Sequence, residues 1–84
     1  MMTEVENRRV EIKTYAHDGY FIEVYIDKHA YRAWLWKAGV GYKMAIASIM
    51  QFECTIEAFL AYILERRWDE CVEEYKEMFE DEQE

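Results

Sequence analysis

Apolar and polar residues alternate along "RVEIKTYA" and again along "YFIEVYID", and the two runs flank His17, Asp18 and Gly19. A period of two is the mark of half-buried strands, so this segment predicts a β-hairpin. Its register depends on the loop. A two-residue Asp18-Gly19 turn sets Ile12 opposite Tyr25 and Thr14 opposite Glu23, which puts the apolar row of one strand beside the polar row of the other. A three-residue loop with Gly19 left-handed pairs Val10 with Ile26, Ile12 with Val24, Thr14 with Ile22 and Ala16 with Tyr20. It also brings Lys13 to Glu23 and Arg9 to Asp27 on the other face, both favourable pairs. The pattern therefore favours the three-residue loop.

"DKHAYRAWLWKAG" carries a helical period: Asp27 can cap its start, Gly39 can end it, and Tyr31, Trp34, Leu35 and Ala38 share a face. The reading for residues 28–38 is a short helix. A strand competes with it, because Trp, Tyr and Leu also suit sheets. "GYKMAIASIMQF" reads as a strand with Tyr42, Met44, Ile46 and Met50 on one side. Thr55 then caps a final helix whose apolar positions run Ile56, Phe59, Leu60, Ile63, Leu64, Trp68, Cys71, Val72, Tyr75, Met78 and Phe79 at steps of three and four. One helix of about 25 residues, roughly 37 Å long, accounts for that stripe. The fold expected is a small two-layer α+β domain of order ββαβα. Both helices lie on one face of the sheet, and a right-handed crossover places the third strand beside the first.

Eighty-four residues make one domain with a modest core, and a chain with no proline, three glycines and 52% hydrophobic residues is expected to fold. Residues 80–84 are expected to fray as an acidic tail. Arg32, Lys37 and Lys43 interrupt the most apolar window, so it falls short of the ~20 residues that cross a bilayer. "MMTEVENRRV" lacks the apolar run of a signal peptide, and the expected location is the cytoplasm. Cys54 and Cys71, 17 positions apart and in no C-x-x-C pair, are expected to be free thiols there.

Charge changes this picture most. Residues 1–52 hold six acids and seven bases, whereas residues 53–84 hold twelve acids and three bases, so the net charge of −8 arises in the last third. On the side of the final helix away from its apolar stripe, Glu65, Asp69, Glu73, Glu77 and Asp81 follow at i, i+4. Four successive like-charge pairs cost on the order of 1 to 2 kcal/mol at low salt. Acids near a helix C-terminus also oppose its dipole. Such a face can serve solubility alone. Its rise of about 6 Å per four residues also approaches the phosphate spacing of a nucleic acid strand, so the row can imitate a backbone and enter a basic groove. An acidic surface of this kind repels nucleic acid and anionic membranes, and attracts basic proteins.

The small size, the mixed α+β pattern, the acidic face and the lack of enzyme motifs resemble phage-encoded inhibitors of the anti-CRISPR and DNA-mimic type. The resemblance is one of size and charge and carries over no functional residue. It implies stoichiometric inhibition of a nuclease such as a CRISPR effector, in the cytoplasm of a host cell, without catalysis or cofactor.

Fourteen aromatic residues are more than so small a core absorbs. The three-residue loop places Tyr15, Phe21 and Tyr25 on the face with Lys13 and Glu23, while Trp36 points away from the helical stripe. Exposed aromatics of this kind anchor interfaces. They support the alternative reading, a structural or regulatory domain that forms a homodimer through an aromatic sheet face. Direct nucleic-acid stacking is disfavoured by scattered bases and net negative charge. His17 and His29 have no ligand spacing around them, so no metal is expected. "GVG" at 39–41 is too short to cradle a phosphate, and no nucleophile elbow or P-loop is present, so an enzyme is not expected.

Overall fold

The computed structural model of the chain describes residues 10–79, and the predicted frayed tail lies outside them. Four antiparallel strands, β1 (Glu11–His17), β2 (Tyr20–Ile26), β3 (Ala30–Trp36) and β4 (Lys43–Met50), form one sheet in the order β1-β2-β3-β4. A single C-terminal helical rod follows: α1 (Ile56–Tyr62), a π turn (Ile63–Arg67) and α2 (Trp68–Phe79). The domain is α+β as expected, but its order is ββββα. No helix among the described residues is long and apolar enough to cross a membrane.

Residues 28–38 supply a strand, not a helix. Tyr31, Ala33 and Leu35 are buried at a period of two, while Trp34 and Trp36 turn to the other face. The helical stripe shares Tyr31 and Leu35 with this alternation, which is why both patterns fit the sequence. Asp27 does cap, but it caps a turn. Its Oδ1 accepts from the backbone N–H groups of His29 and Ala30, both at 2.8 Å, and Asp27 N–H donates to Ala30 O at 3.1 Å. Short polar side chains satisfy either structure in this way. These two hydrogen bonds, Ala30 first, and then the nearby Arg32 hold the Asp27 carboxyl below the usual carboxylate range. With no crossover helix, β4 pairs with β3 at the edge opposite β1.

The hairpin register also differs from expectation by one residue. Ile12 faces Tyr25, Thr14 faces Glu23 and His17 faces Tyr20, so the loop has two residues. Asp18 (φ 54°) and Gly19 (φ 83°) both adopt positive φ, as a type I′ turn demands. Cross-strand matching within the hairpin loses to contacts with the helix. In this register Tyr15 and His17 point to the helix side, where His17 meets the Trp68 ring edge-on at 4.8 Å and Trp68 Nε1 donates to Asp18 Oδ2 at 3.2 Å. Lys13 accordingly pairs with Glu11 (3.9 Å), not Glu23. Arg9 lies outside the described residues, and Asp27 pairs with Arg32.

Two irregularities let helix and sheet fit. On β4, Ala33 opposes Ala47 and Trp34 opposes Ala45, so Ile46 is the extra residue of a β-bulge. Met44 and Ile46 are therefore buried, whereas Met50, expected beside them, is turned out, and Tyr42 precedes the strand. On the helix, the buried positions are Phe59, Ile63, Trp68, Cys71 and Tyr75, with a step of five between Ile63 and Trp68. A regular α-helix cannot hold both on one line, and the π turn absorbs the surplus residue. Arg67, at its end, donates to the bulged Ile46 carbonyl at 3.3 Å. Deleting the exposed Glu65 should thus restore an ordinary helical turn with the buried residues still in phase. Urea unfolding is expected to change by less than about 1 kcal/mol, and a loss above about 2 kcal/mol would count against this account of the π turn.

Thr55 caps α1 as predicted, its Oγ1 accepting from Ala58 N–H at 3.1 Å. The rod packs along one sheet face over Tyr20, Ile22, Val24, Tyr31, Ala33 and Leu35. Phe59 stacks on Tyr31 near one end, and Tyr75 meets Tyr20 edge-on near the other.

Two candidate interaction faces

The buried line Trp68, Cys71 and Tyr75 fixes which side of α2 is outermost. Asp69, Glu73 and Glu77 are exposed there, at the expected i, i+4 spacing within a regular helix. Glu65 is exposed too, but it lies in the π turn, whose surplus residue offsets it from that row by about one position. Asp81 lies outside the described residues. Glu70 and Glu74, also exposed, widen the row, so five carboxylates and one base, Lys76, occupy the outer side of α2. Sequence reasoning set Glu70 and Glu74 aside because it followed a single i, i+4 line.

Few cations reach these acids. Arg67 bends toward the sheet, where its Nε donates to Glu70 Oε1 at 3.1 Å while Nη1 engages Ile46. Among the described residues Asp69, Glu73 and Glu77 form no salt bridge, and Lys76 is the one base beside them on α2. Cys71 sits beneath this face, and burial pushes its thiol up, which keeps it protonated and unreactive.

The second face is the side of the sheet away from the helix. Phe21, Glu23 and Tyr25 of β2 lie beside Trp36, Trp34 and Arg32 of β3 in register, and no described element covers them. Phe21 stacks on Trp36 at 4.6 Å, and Tyr25 meets Trp34 at 6.5 Å. The ring residues are half-buried by one another, and Trp36 Nε1 is shielded from solvent without a partner among the described residues. The expected aromatics Phe21, Tyr25 and Trp36 are thus together. Tyr15 has moved to the helix side with the register, and Trp34, expected in the core, takes its place. The signal for Trp34 was the alternation of 34 and 36 against 31, 33 and 35.

Charges on this face are paired within it. Lys43 Nζ lies 2.6 Å from Glu23 Oε1, which also accepts from Tyr25 OH at 3.2 Å, and Arg32 Nη1 lies 3.2 Å from Asp27 Oδ2. The hydrogen bond that Lys43 donates to Glu23 raises the Lys43 pKa above the ordinary lysine value. Beside the aromatics the middle of each edge strand carries small side chains, Thr14 and Ala16 of β1 facing Glu23 and Phe21 and Ala45 and Ser48 of β4 facing Trp34 and Arg32, whereas Ile12, Lys43 and Met50 stand larger at the strand ends. The aromatics therefore form a ridge along the two central strands, with a lower band on either side.

His17 is engaged with Trp68, and His29 sits in the β2–β3 turn. Among the described residues, no group of three or more His, Cys, Asp or Glu side chains is placed to hold a metal ion. Compared with known proteins, the chain matches no family model, and no curated protein and no solved structure matches it significantly.

Proposed function

We propose that this protein is a non-enzymatic, protein-binding inhibitor whose acidic helix face occupies a basic nucleic-acid-binding surface of a host nuclease, such as a CRISPR effector. One observation carries the reading: Asp69, Glu73 and Glu77 stand exposed on α2 with no salt bridge among the described residues, a row of like charge that a cationic surface would relieve. Carboxylates rising about 6 Å per step along a rigid rod present charge much as a phosphate backbone does, on a scaffold already ordered before binding. Association driven by such a face is fast and weakens steeply with salt. The likeness in size and charge to phage-encoded DNA mimics points the same way.

The test is a triple variant, Asp69→Gln, Glu73→Gln and Glu77→Gln. Wild-type protein immobilised at low salt is expected to retain a nuclease or polymerase from host lysate and to release it as salt rises. The variant should bind that purified partner at least about tenfold more weakly. Its own folding stability should be unchanged or rise by up to about 1 kcal/mol as the repulsion goes. Equal affinity of the variant and the wild type would remove the acidic face from the account.

A further inference from the structure

We infer that the open aromatic face of the sheet binds a second copy of this chain, giving a two-fold dimer with the sheets back to back and the helices outermost. The inference goes beyond the proposed inhibitor role and stands without it.

Charge selects the occupant. Among the described residues, the only ions on the face, Lys43 with Glu23 and Arg32 with Asp27, are already paired. The face is therefore electrically neutral and offers neither a basic nor an acidic partner a free counter-charge. An identical neutral face is a suitable cover, because burying pre-formed pairs leaves no charge alone. It is also the arrangement in which two acidic chains repel least. Layers stacked at ~10 Å intervals put the two α2 helices about 30 Å apart, some three screening lengths at 0.1 M salt.

Shape agrees with charge. In a two-fold contact each patch meets its own copy, so a surface must contain both a projection and its matching recess. The aromatic ridge of β2 and β3, flanked by Thr14 and Ala16 on one side and by Ala45 and Ser48 on the other, contains both. Four strands seven residues long span roughly 440 Å² in projection, which the side-chain relief enlarges. That is near the small end of specific interfaces, about 600 Å² per partner, so a dimer with a micromolar dissociation constant is expected.

Sedimentation velocity on the full chain between about 1 µM and about 1 mM tests it, with no other protein present. The mass should climb from one chain to two. Ala45→Arg places a charge in the low band at an exposed position and should weaken dimerisation at least about tenfold, leaving the circular dichroism spectrum intact. Thr14→Arg, on the opposite edge, serves if the first variant folds poorly. The Asp69→Gln, Glu73→Gln, Glu77→Gln variant should dimerise as the wild type does or slightly better. A monomer at every concentration overturns the inference, as does a dimer indifferent to both arginines. A mass that rises past two chains, as edge-to-edge strand addition would give, also overturns it.

Discussion

Trp68→Ala is expected to lower the stability of the domain by about 3–5 kcal/mol, a large share of the total. A domain of 84 residues has about 4–13 kcal/mol in total. The indole is 8% exposed and meets two rings edge-on, His17 at 4.8 Å and Tyr20 at 6.0 Å. Its Nε1–H donates to Asp18, the residue that opens the type I′ turn. Truncation therefore leaves a cavity where helix and hairpin meet and releases the contact that selects the two-residue register. Trp68→Phe separates these contributions, since it keeps a ring but loses the hydrogen bond. It should cost about 1–2 kcal/mol. Urea unfolding of both variants gives the values, and a loss below about 1 kcal/mol for Trp68→Ala would show that the helix docks without this anchor.

The second large effect is expected from the loss of one oxygen atom. Tyr75 is fully buried, and its hydroxyl accepts from Lys37 N–H at 3.2 Å and donates to Tyr42 O at 2.8 Å. It thereby ties α2 to both ends of the β3–β4 connection, where Gly39 and Gly41 take positive φ and few other backbone bonds act. Tyr75→Phe keeps the ring contacts with Tyr20 and Phe79 but deprives two backbone groups of this partner. At about 1–3 kcal/mol for each buried group, the expected cost is about 2–4 kcal/mol. Amide exchange of the 37–42 segment should accelerate more than that of the β1–β2 pairing. A variant within about 0.5 kcal/mol of the wild type would mean that water or another group replaces the hydroxyl.

Both residues were legible in the sequence as members of an apolar stripe, but not as the points that order the rest. The stripe identified the final helix, and Thr55 its start, because helical period and capping are local properties. The hairpin strands were legible for the same reason. The loop length was not: Asp18 and Gly19 suit a type I′ turn, but matching apolar rows within the hairpin argued for another register. Trp68 decides it from 50 residues away by engaging His17 and Asp18. The π turn was hidden because Leu64 fills the gap in the three-and-four spacing. Only the burial of Ile63 and Trp68 together exposes the step of five.

The interaction faces divide in the same way. The acidic side of α2 follows from helical geometry applied to Asp69, Glu73 and Glu77, since their placement needs only the helix and its buried stripe. The aromatic face depended on whether residues 30–36 form helix or strand, and there the local preferences are nearly balanced. Tyr31 and Leu35 serve both patterns, and Asp27 caps a helix as readily as a turn.

The sequence by itself determined where β1, β2, β4 and the long helix form, which side of that helix meets the core, and that the acidity gathers in the last third. These depend on neighbours within a few positions along the chain. Only the tertiary structure decided that residues 30–36 complete a four-stranded sheet, that the hairpin turns on two residues, and that Phe21, Tyr25, Trp34 and Trp36 lie together on a face no described element covers. Each of these was a close choice locally, and hydrogen bonds from β2 and β4 and contacts with the helix, available only in the assembled fold, outweigh the small differences between the alternatives.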